Sequence, residues 1–356
     1  MSPPVPRVIT VEALDDYRER IDVRSPSEYA EDHLPGAISH PVLSDAERAH
    51  VGTLYAREGG FAAKRVGAAI VSRNIANLLE RELAGKPRDW MPLVYCWRGG
   101  KRSASLAHIL NEIGWHAAQL QGGYRAFRRH VRAQLNVLPQ RFDFRVVCGL
   151  TGSGKSRLIM ALAAEGAQVL DLERLAAHRG SLLGDLPDAP QPSQKRFETR
   201  LYDALHRLDP ARPVYVESES KRIGALQVPE PLLQSMRDAR CVRLELAQPL
   251  RVALLREEYA HFLDDTDRLS AQLAPLVELH GRETIQRWNA AARAGDWDGL
   301  VASLLAQHYD PVYARSMSRN FPRHGNARVV EATRIDMAHY RELARALMAD
   351  EQVVTG

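Results

Sequence analysis

The chain has 356 residues, of which 45% are hydrophobic and 26% are charged. This balance excludes a fibrous or largely disordered protein and indicates about two globular domains, and no apolar run is long enough to span a membrane. The formal net charge of +4 permits a nucleic-acid partner without requiring one.

The cysteines of the sequence, Cys96, Cys148 and Cys241, lie far apart. They do not make a disulfide framework, and the first residues lack the basic start and apolar core of a secretory signal. We therefore expect a cytoplasmic protein. The cysteines and histidines show no spacing typical of zinc, so no metal ligand is certain. We expect a monomer without a membrane partner.

The first part of the chain is predicted to form a parallel α/β domain. The segments "VITVEAL" and "RIDVRSPSEYAEDHLPGAISHPV" are predicted as short strands joined by turns, and the apolar spacing in residues 47–83 predicts helices. The run "PLVYC" is typical of a buried strand. Leu106 and Leu110 then recur at helical spacing up to Gly114, which ends the helix. This alternation of strands and helices favours a parallel sheet.

Cys96 lies in the stretch "VYCWRGGKRS", where a strand, a glycine-containing loop and a helix follow one another. Successive backbone N–H groups of such a loop bind an anion when they point inward, and the positive end of the helix adds to the attraction. Glycines let an anion approach the backbone closely. We therefore predict that Cys96 is a nucleophilic thiolate. The anion loop around it consists of Trp97, Arg98, Gly99, Gly100, Lys101 and Arg102.

Two other interpretations of Cys96 stay open at this point. Buried, inert thiols are common, and the spacing from Cys96 to Arg102 is also that of cysteine phosphatases, although Tyr95 stands where many phosphatases have a histidine. Residues 8–130 resemble a rhodanese domain in "IDVRSPSEYAEDHLPGAI", "VYCWRGGKRSASLAHIL" and "LQGGYRAFR". The resemblance implies a loop cysteine that carries sulfur as a persulfide. It also places Asp22, Arg24 and Glu28 in a structural motif, and we expect the first two to form an ion pair.

A second chemical loop, "GLTGSGKS" at residues 149–156, fits the pattern G-x-x-x-x-G-K-[ST]. It follows an apolar strand and precedes a helix with an apolar face, the context of a phosphate-binding loop. Lys155 is expected to reach the terminal phosphate, and Ser156 to hold Mg²⁺. A basic connector precedes this loop, so we predict domains at 8–135 and 136–356. The predicted phosphate-binding residues are Gly149, Thr151, Gly152, Ser153, Gly154, Lys155 and Ser156.

The second domain is predicted as α/β with added helices. Its strand candidates are "FRVVCGL", "AQVLDLE", "PVYVES" and "CVRLEL", and residues 248–310 are predicted to be helical. Asp171 and Glu217 end two of these strands. Each either faces a metal ion or caps a helix. The pattern predicts a phosphate binder whose ligand is a nucleotide or another diphosphate ester.

Nearly the whole chain resembles the tRNA 2-selenouridine synthase family, in "YCWRGGKRSASLA", "GLTGSGKS", "DLERLAAHRGSLLG", "PSQKRFE", "VYVESESKRIG" and "HYDPVYARS". The resemblance implies an enzyme that transfers a geranyl group from geranyl diphosphate to the sulfur of a wobble 2-thiouridine in tRNA. That sulfur is then replaced by selenium from selenophosphate, which Cys96 holds as a selanylsulfide. The alternatives are a rhodanese-type sulfurtransferase with a nucleotide-binding regulatory domain, a nucleotide-dependent RNA-binding protein and a phosphatase–kinase fusion.

The substrates of such an enzyme require further contacts. The second loop is expected to hold the diphosphate of geranyl diphosphate, with Lys155 stabilising the leaving pyrophosphate; apart from Mg²⁺, no tightly bound cofactor is expected. Basic side chains would contact tRNA phosphates, and Trp97 would stack on the extruded base. The candidates for tRNA or substrate contacts are His178, Arg179, Lys195, Arg196, Lys221, Arg222 and Arg315, with Arg125, Arg128, Arg129 and Arg132 in the connector.

Overall fold

The computed structural model describes residues 7–181, 183–186 and 189–355. Side chains are described for all of these residues except 318 and 351–355. The chain forms two compact units. The first comprises residues up to 134 together with 192–203, and the second comprises 135–191 and the residues after 203. Each unit contains a five-stranded sheet whose neighbouring strands are all parallel, which confirms the predicted α/β class. No helix of the described residues has the length and apolar character needed to cross a bilayer.

The sheet of the first unit has the strand order β1-β5-β4-β2-β3. Parallel strands need crossover connections, and helices supply most of them here. The strands are β1 (Arg7–Ile9), β2 (Arg20–Asp22), β3 (Ala37–Ser39), β4 (Leu93–Tyr95) and β5 (Ala118–Leu120). The helices are α1 (Pro26–Glu31), α2 (Asp45–Glu58), α3 (Gly60–Leu78), α4 (Lys101–Ile113) and α5 (Gly123–Val137).

Helix α1 corrects the prediction of strands and turns for its segment. Ser25 and Glu28 form a capping box, in which each side chain meets the backbone of the other residue, and Pro26 occupies the first turn. Both features stabilise a helix start. The prediction was wrong here because the helix is too short to show an apolar period.

The predicted ion pair of Asp22 and Arg24 is fully buried beside the sheet. Arg24 Nη2 donates to Asp22 Oδ2 at 2.6 Å, and Tyr95 donates to the same oxygen at 2.8 Å. The guanidinium also lies 3.9 Å from the ring centroid of Tyr124. Buried charges persist only when they are paired and hydrogen-bonded, as these are, so the structure confirms a structural role for the pair.

The sheet of the second unit has the strand order β12-β11-β6-β8-β7. The four predicted strands are present, with a fifth at one edge and a small β9–β10 hairpin in addition. The strands are β6 (Phe144–Cys148), β7 (Gln168–Leu170), β8 (Val214–Glu217), β9 (Arg222–Ile223), β10 (Leu226–Gln227), β11 (Arg240–Leu246) and β12 (Arg328–Ala332).

Helices follow or separate these strands, and several form the added helical region that the sequence predicts. The segment 192–203, which includes most of α8, clusters with the first unit. The helices are α6 (Lys155–Ala164), α7 (Leu172–Ala176), α8 (Gln194–His206), α9 (Glu230–Arg237), α10 (Gln248–Glu258), α11 (Thr266–Leu273), α12 (Val277–Arg293), α13 (Trp297–Leu304), α14 (Asp310–Asn320) and α15 (Met337–Thr355).

Two apolar cores support the second unit. One lies at the sheet, where Leu158 and Leu162 of α6 pack with Val147, Leu244 and Tyr340. The other lies within the helical region and contains Leu273, Trp288 and Leu300. The first core holds the helix that follows the phosphate loop, and therefore fixes the position of that loop.

Candidate active sites

Cys96 follows directly after β4, and its side chain is 3% exposed. Its sulfur accepts a hydrogen bond from the Gly100 amide at 3.2 Å and one from the Ser103 hydroxyl at 3.2 Å. Helix α4 begins at Lys101, so the sulfur lies at the N-terminal end of that helix. The sulfur therefore faces two hydrogen-bond donors and the positive end of a helix, surroundings typical of reactive cysteines.

The backbone of the cysteine loop is held in place by the neighbouring strand β5. The Gln119 amide donates to the carbonyls of Gly99 and Gly100 at 2.8 and 3.1 Å. Gly99 has φ +64°, and a Cβ at this position would lie 2.4 Å from the Leu120 carbonyl oxygen. Only glycine fits such a site. Ser103 and Gln119 were missed in the sequence analysis, since a helical serine and a strand glutamine carry no signal without their neighbours.

The charged side chains of the loop take different positions. Arg102 Nη1 lies 3.1 Å from Glu28 Oε2, so its charge is engaged within the protein. Arg98 and Lys101 are exposed, and neither has a carboxylate partner among the described residues. Trp97 is half-buried, with its ring centroid 5.3 Å from that of Tyr124. Two cations and one partly accessible aromatic ring therefore lie on the loop that carries Cys96.

The phosphate loop connects β6 to α6, as predicted. Lys155 Nζ donates to the Gly149 carbonyl at 2.9 Å, and the Gly149 amide donates to the Tyr313 hydroxyl at 2.5 Å. Gly154 has φ +86°, and a Cβ there would lie 1.9 Å from the hydroxyl oxygen of Tyr340. Tyr313 and Tyr340 thus hold the loop in place, and no spacing in the sequence predicts either of them.

A cavity of about 720 Å³ lies in front of this loop. Thr151, Gly152, Gly154, Lys155 and Ser156 line it, whereas Gly149 and Ser153 line a second cavity of about 550 Å³. A cavity of about 720 Å³ is large enough for a small substrate molecule. We refer to it below as the phosphate cavity.

Three glutamates meet beside Ser156 in the phosphate cavity. The carboxylate oxygens of Glu173, Glu217 and Glu219 lie within 4.8 Å of one another, and Ser156 Oγ donates to Glu173 at 3.1 Å. Burial raises the pKa of all three carboxyl groups, and like charge adds to the effect; the pKa of Glu219 rises to about 8. A divalent cation would relieve this repulsion, because carboxylate and hydroxyl oxygens are ligands of hard cations.

Asp171 is the other acidic candidate. Of its two predicted roles, metal ligand and helix cap, the structure shows the helix cap. Its Oδ1 accepts the Arg174 amide at 2.9 Å, so it is the N-cap of α7. Glu217, by contrast, belongs to the three-glutamate cluster. Glu173 and Glu219 were missed: Glu173 is the last residue of the candidate "AQVLDLE", of which only Asp171 was considered, and Glu219 lies two residues beyond Glu217.

Comparison with known proteins places these two loops in one family. A rhodanese-like domain profile matches residues 11–130, and the profile of the tRNA 2-selenouridine synthase AAA domain matches residues 142–272. The tRNA 2-selenouridine synthase of Nitrosomonas europaea is 36% identical over 290 residues, which cover 80% of this chain and 75% of the relative. The chain belongs to the tRNA 2-selenouridine synthase family.

Two further relatives match over a larger share of both chains. The tRNA 2-selenouridine synthase of Marinobacter nauticus is 33% identical and covers 82% of this chain and 86% of its own. That of a Sulfurovum species is 31% identical and covers 88% of this chain and 93% of its own. The resemblance stated from the sequence is thus confirmed, including the rhodanese domain.

The basic residues proposed for substrate contacts in this family member fall into two groups. Lys195 Nζ lies 2.6 Å from Glu31, and Arg196 donates to the His33 carbonyl at 3.2 Å, so both stabilise the first unit. Arg128 pairs with Glu198. The exposed candidates are Arg125, Arg129, Arg132, Lys221, Arg222 and Arg315.

His178 and Arg179 line the phosphate cavity. His178 is 5% exposed and lies 3.3 Å from Asp185, and burial lowers its pKa. Arg179 donates to the Glu258 carbonyl and lies 5.0 Å from the ring centroid of Tyr259. A buried histidine and a hydrogen-bonded arginine therefore shape the cavity wall.

The glutamate cluster predicts a pH dependence of stability. A folded-state pKa raised above the unfolded value stabilises the fold fully below the unfolded pKa, and this contribution is lost as pH rises through the folded pKa. Without divalent cations, we expect the melting temperature to fall between about pH 4.3, the usual glutamate pKa, and about pH 8. Mg²⁺ should raise it most at the alkaline end.

Thermal melts of the full chain in EDTA and in Mg²⁺, at closely spaced pH values, measure this effect. Glu219→Gln should flatten the pH dependence and weaken the response to Mg²⁺. Glu283→Gln, at an exposed residue of α12, is the matched control. An unchanged pH profile in Glu219→Gln would show that the cluster does not titrate in this way.

Proposed function

We propose that the protein converts the wobble 2-thiouridine of tRNA into 2-selenouridine through an S-geranyl intermediate, using geranyl diphosphate and selenophosphate. The observation that carries this proposal is that a chain of the tRNA 2-selenouridine synthase family has a hydrogen-bonded cysteine in its rhodanese-type loop and a lysine and three glutamates at its phosphate loop. The first arrangement suits a nucleophile, and the second suits a diphosphate leaving group.

In the geranyl transfer, the thiouridine sulfur attacks C1 of geranyl diphosphate. The C1–O bond breaks, pyrophosphate leaves with the bonding electrons, and the base loses a proton. Lys155 and the loop amides would stabilise the charge on the leaving group. Glu173, Glu217, Glu219 and Ser156 would hold Mg²⁺, which neutralises diphosphate charge when it is bound.

In the selenium step, selenium must reach C2 of the base with an electron pair and displace geranylthiolate. Attack of the Cys96 thiolate on phosphorus releases selenium as hydroselenide, and water then hydrolyses the S-phosphocysteine to phosphate. Attack on selenium instead gives the selanylsulfide and leaves phosphorus as phosphite. After this selenium displaces geranylthiolate at C2, the S–Se bond to Cys96 must be reduced by an external thiol, which becomes oxidised to a disulfide. Whether phosphate or phosphite is formed therefore shows whether Cys96 attacks phosphorus or selenium.

The tRNA would be bound by exposed cations, among which Arg98 and Lys101 lie on the cysteine loop itself. Phosphate contacts of this kind give salt-dependent affinity. Trp97 is partly accessible beside Cys96 and offers a ring for an unstacked base.

The experiment incubates the protein with tRNA that contains 2-thiouridine and omits each co-substrate in turn, followed by mass spectrometry of the nucleosides. Geranyl diphosphate alone should give S-geranyl-2-thiouridine, and both co-substrates should give 2-selenouridine. tRNA without the 2-thio group is the control. Transfer of sulfur from thiosulfate to cyanide, with no change in tRNA, would instead support the sulfurtransferase alternative.

A further inference from the structure

A small apolar pocket of about 60 Å³ lies next to the phosphate cavity in the second unit. Its wall away from the phosphate loop comes from α11, α13 and the residues just after α10, and includes Phe262, Leu269, Leu300, Val301 and Leu304. Most of these residues belong to the apolar core of the helical region, and Val301 packs against a smaller apolar cluster of Val252, Leu255 and Leu305. The pocket is therefore a gap where that core and this cluster meet.

The pocket adjoins the phosphate cavity, and we call the five residues that line both of them the shared mouth. Thr151 and Leu255 line both, as do Ser181, Tyr259 and Tyr309. Leu255 packs against the phosphate loop, since a Cβ on Gly152 would lie 2.8 Å from its side chain. A ligand with its anionic group on the phosphate loop can therefore extend an apolar tail into the pocket.

The phosphate loop is fastened to α10 at this mouth. Arg251 of α10 is buried, donates to the Thr151 carbonyl at 2.9 Å, and pairs with Asp310 at 2.6 Å. The distance between the loop and the pocket is therefore fixed, as an extended ligand that spans both would require.

Three of the polar side chains that line the pocket have partners within the protein. The hydroxyls of Ser181 and Tyr259 lie 3.2 Å apart, and Arg256 pairs with Asp298 at 2.9 Å. The rest of the lining is mostly leucine and aromatic side chains. A purine ring requires hydrogen-bond partners for its edge, whereas a hydrocarbon chain requires only apolar contact.

The size of the pocket limits its occupant. On a scale where one water molecule needs about 10–15 Å³, a volume of about 60 Å³ holds roughly four to six atoms, the size of one five-carbon isoprene unit. Unfilled apolar space destabilises a protein core. Because the pocket lies beside the phosphate loop, a ligand bound to that loop could fill the pocket and remove this cost.

We propose that this pocket binds the terminal isoprene unit of a prenyl diphosphate, while the diphosphate lies on the phosphate loop and the first isoprene unit lies in the shared mouth. The proposal rests on the proposed function and adds a location for the tail. It also makes the pocket a measure of chain length, in which a ten-carbon chain fills the mouth and the pocket and a five-carbon chain fills the mouth alone.

Calorimetry with Mg²⁺ tests this by comparing geranyl diphosphate, dimethylallyl diphosphate and inorganic pyrophosphate. The unmodified protein should bind geranyl diphosphate at least about ten-fold more tightly than pyrophosphate, because burial of an isoprene unit removes apolar surface from water. Val301→Phe, which fills the pocket, should abolish this preference and leave the affinity for pyrophosphate unchanged. Val329→Phe, at a 48% exposed position of β12, is the matched control.

A retained preference for geranyl diphosphate in Val301→Phe would overturn the proposal, as would its absence in the unmodified protein. Tighter binding of ATP than of geranyl diphosphate, lost in Val301→Phe, would assign the pocket to a nucleotide and also overturn it. If Val301→Phe fails to fold, Leu300→Ala provides the opposite test, because a larger pocket should increase the affinity for farnesyl diphosphate and an unchanged affinity counts against the proposal.

These binding results separate the pocket from the function. A protein that shows the preference but transfers no geranyl group to tRNA would retain the pocket assignment and refute the proposed function. A protein that modifies tRNA, but in which Val301→Phe changes neither the binding nor the chain-length preference, would retain the function and refute the pocket assignment.

Discussion

Cys96→Ser is expected to abolish the formation of 2-selenouridine while S-geranyl-2-thiouridine accumulates. The sulfur of Cys96 accepts hydrogen bonds from Gly100 and Ser103, an arrangement that suits a nucleophile. A serine hydroxyl is protonated at neutral pH and is a poor nucleophile without an activating base. Mass spectrometry of the tRNA nucleosides, with both co-substrates present, measures the two products.

The control for this variant is Cys241→Ser, which changes a buried cysteine of the second unit. It should leave both products unchanged if it folds. Formation of 2-selenouridine by Cys96→Ser at the rate of the unmodified protein would refute the nucleophilic role of Cys96. Assays of phosphate and phosphite in the same reactions show whether attack takes place at phosphorus or at selenium.

Lys155→Ala is expected to lower the rate of geranylation by about 10²–10³-fold, the usual effect of removing one preorganised charge-stabilising group. Among the described residues, Lys155 Nζ donates to backbone carbonyls of its own loop, at 2.9 Å to Gly149 and 3.5 Å to Leu150. The fold should therefore persist without it. The rate is measured as S-geranyl-2-thiouridine formed from geranyl diphosphate and tRNA.

A second substrate makes this prediction specific. If tRNA that already carries S-geranyl-2-thiouridine is supplied with selenophosphate, Lys155→Ala should form 2-selenouridine normally, whereas Cys96→Ser should not. Lys64→Ala, at an exposed residue of α3, is the matched control. Normal geranylation by Lys155→Ala would remove the phosphate loop from that reaction.

The two loops could be predicted because each has its chemistry within about ten consecutive residues. Cys96, Gly99 and Gly100 precede the helix that starts at Lys101, and Lys155 starts the helix after the second loop. A strand, a turn with glycines and a helix define such geometry locally.

Contacts between distant residues could not be predicted in the same way. Arg102 pairs with Glu28, 74 positions away, so a residue predicted to face the anion is engaged elsewhere. Glu173 and Glu219 approach Glu217 only because α7 and the segment after β8 reach the same edge of the sheet. Strand β12 was missed because it is a short edge strand with alternating burial far from the other strands in sequence.

The return of residues 192–203 to the first unit makes that unit discontinuous in sequence. Its buried Asp32 accepts a hydrogen bond from Thr199 at 2.9 Å, and Arg196 lies 3.9 Å from the same carboxylate. A fragment of residues 1–135 would contain the Asp32 carboxylate but would lack Thr199 and Arg196. An excised rhodanese-like domain of this protein would thus be less stable than the same fold within the intact chain, and supplying residues 192–203 in cis or in trans should restore part of that stability.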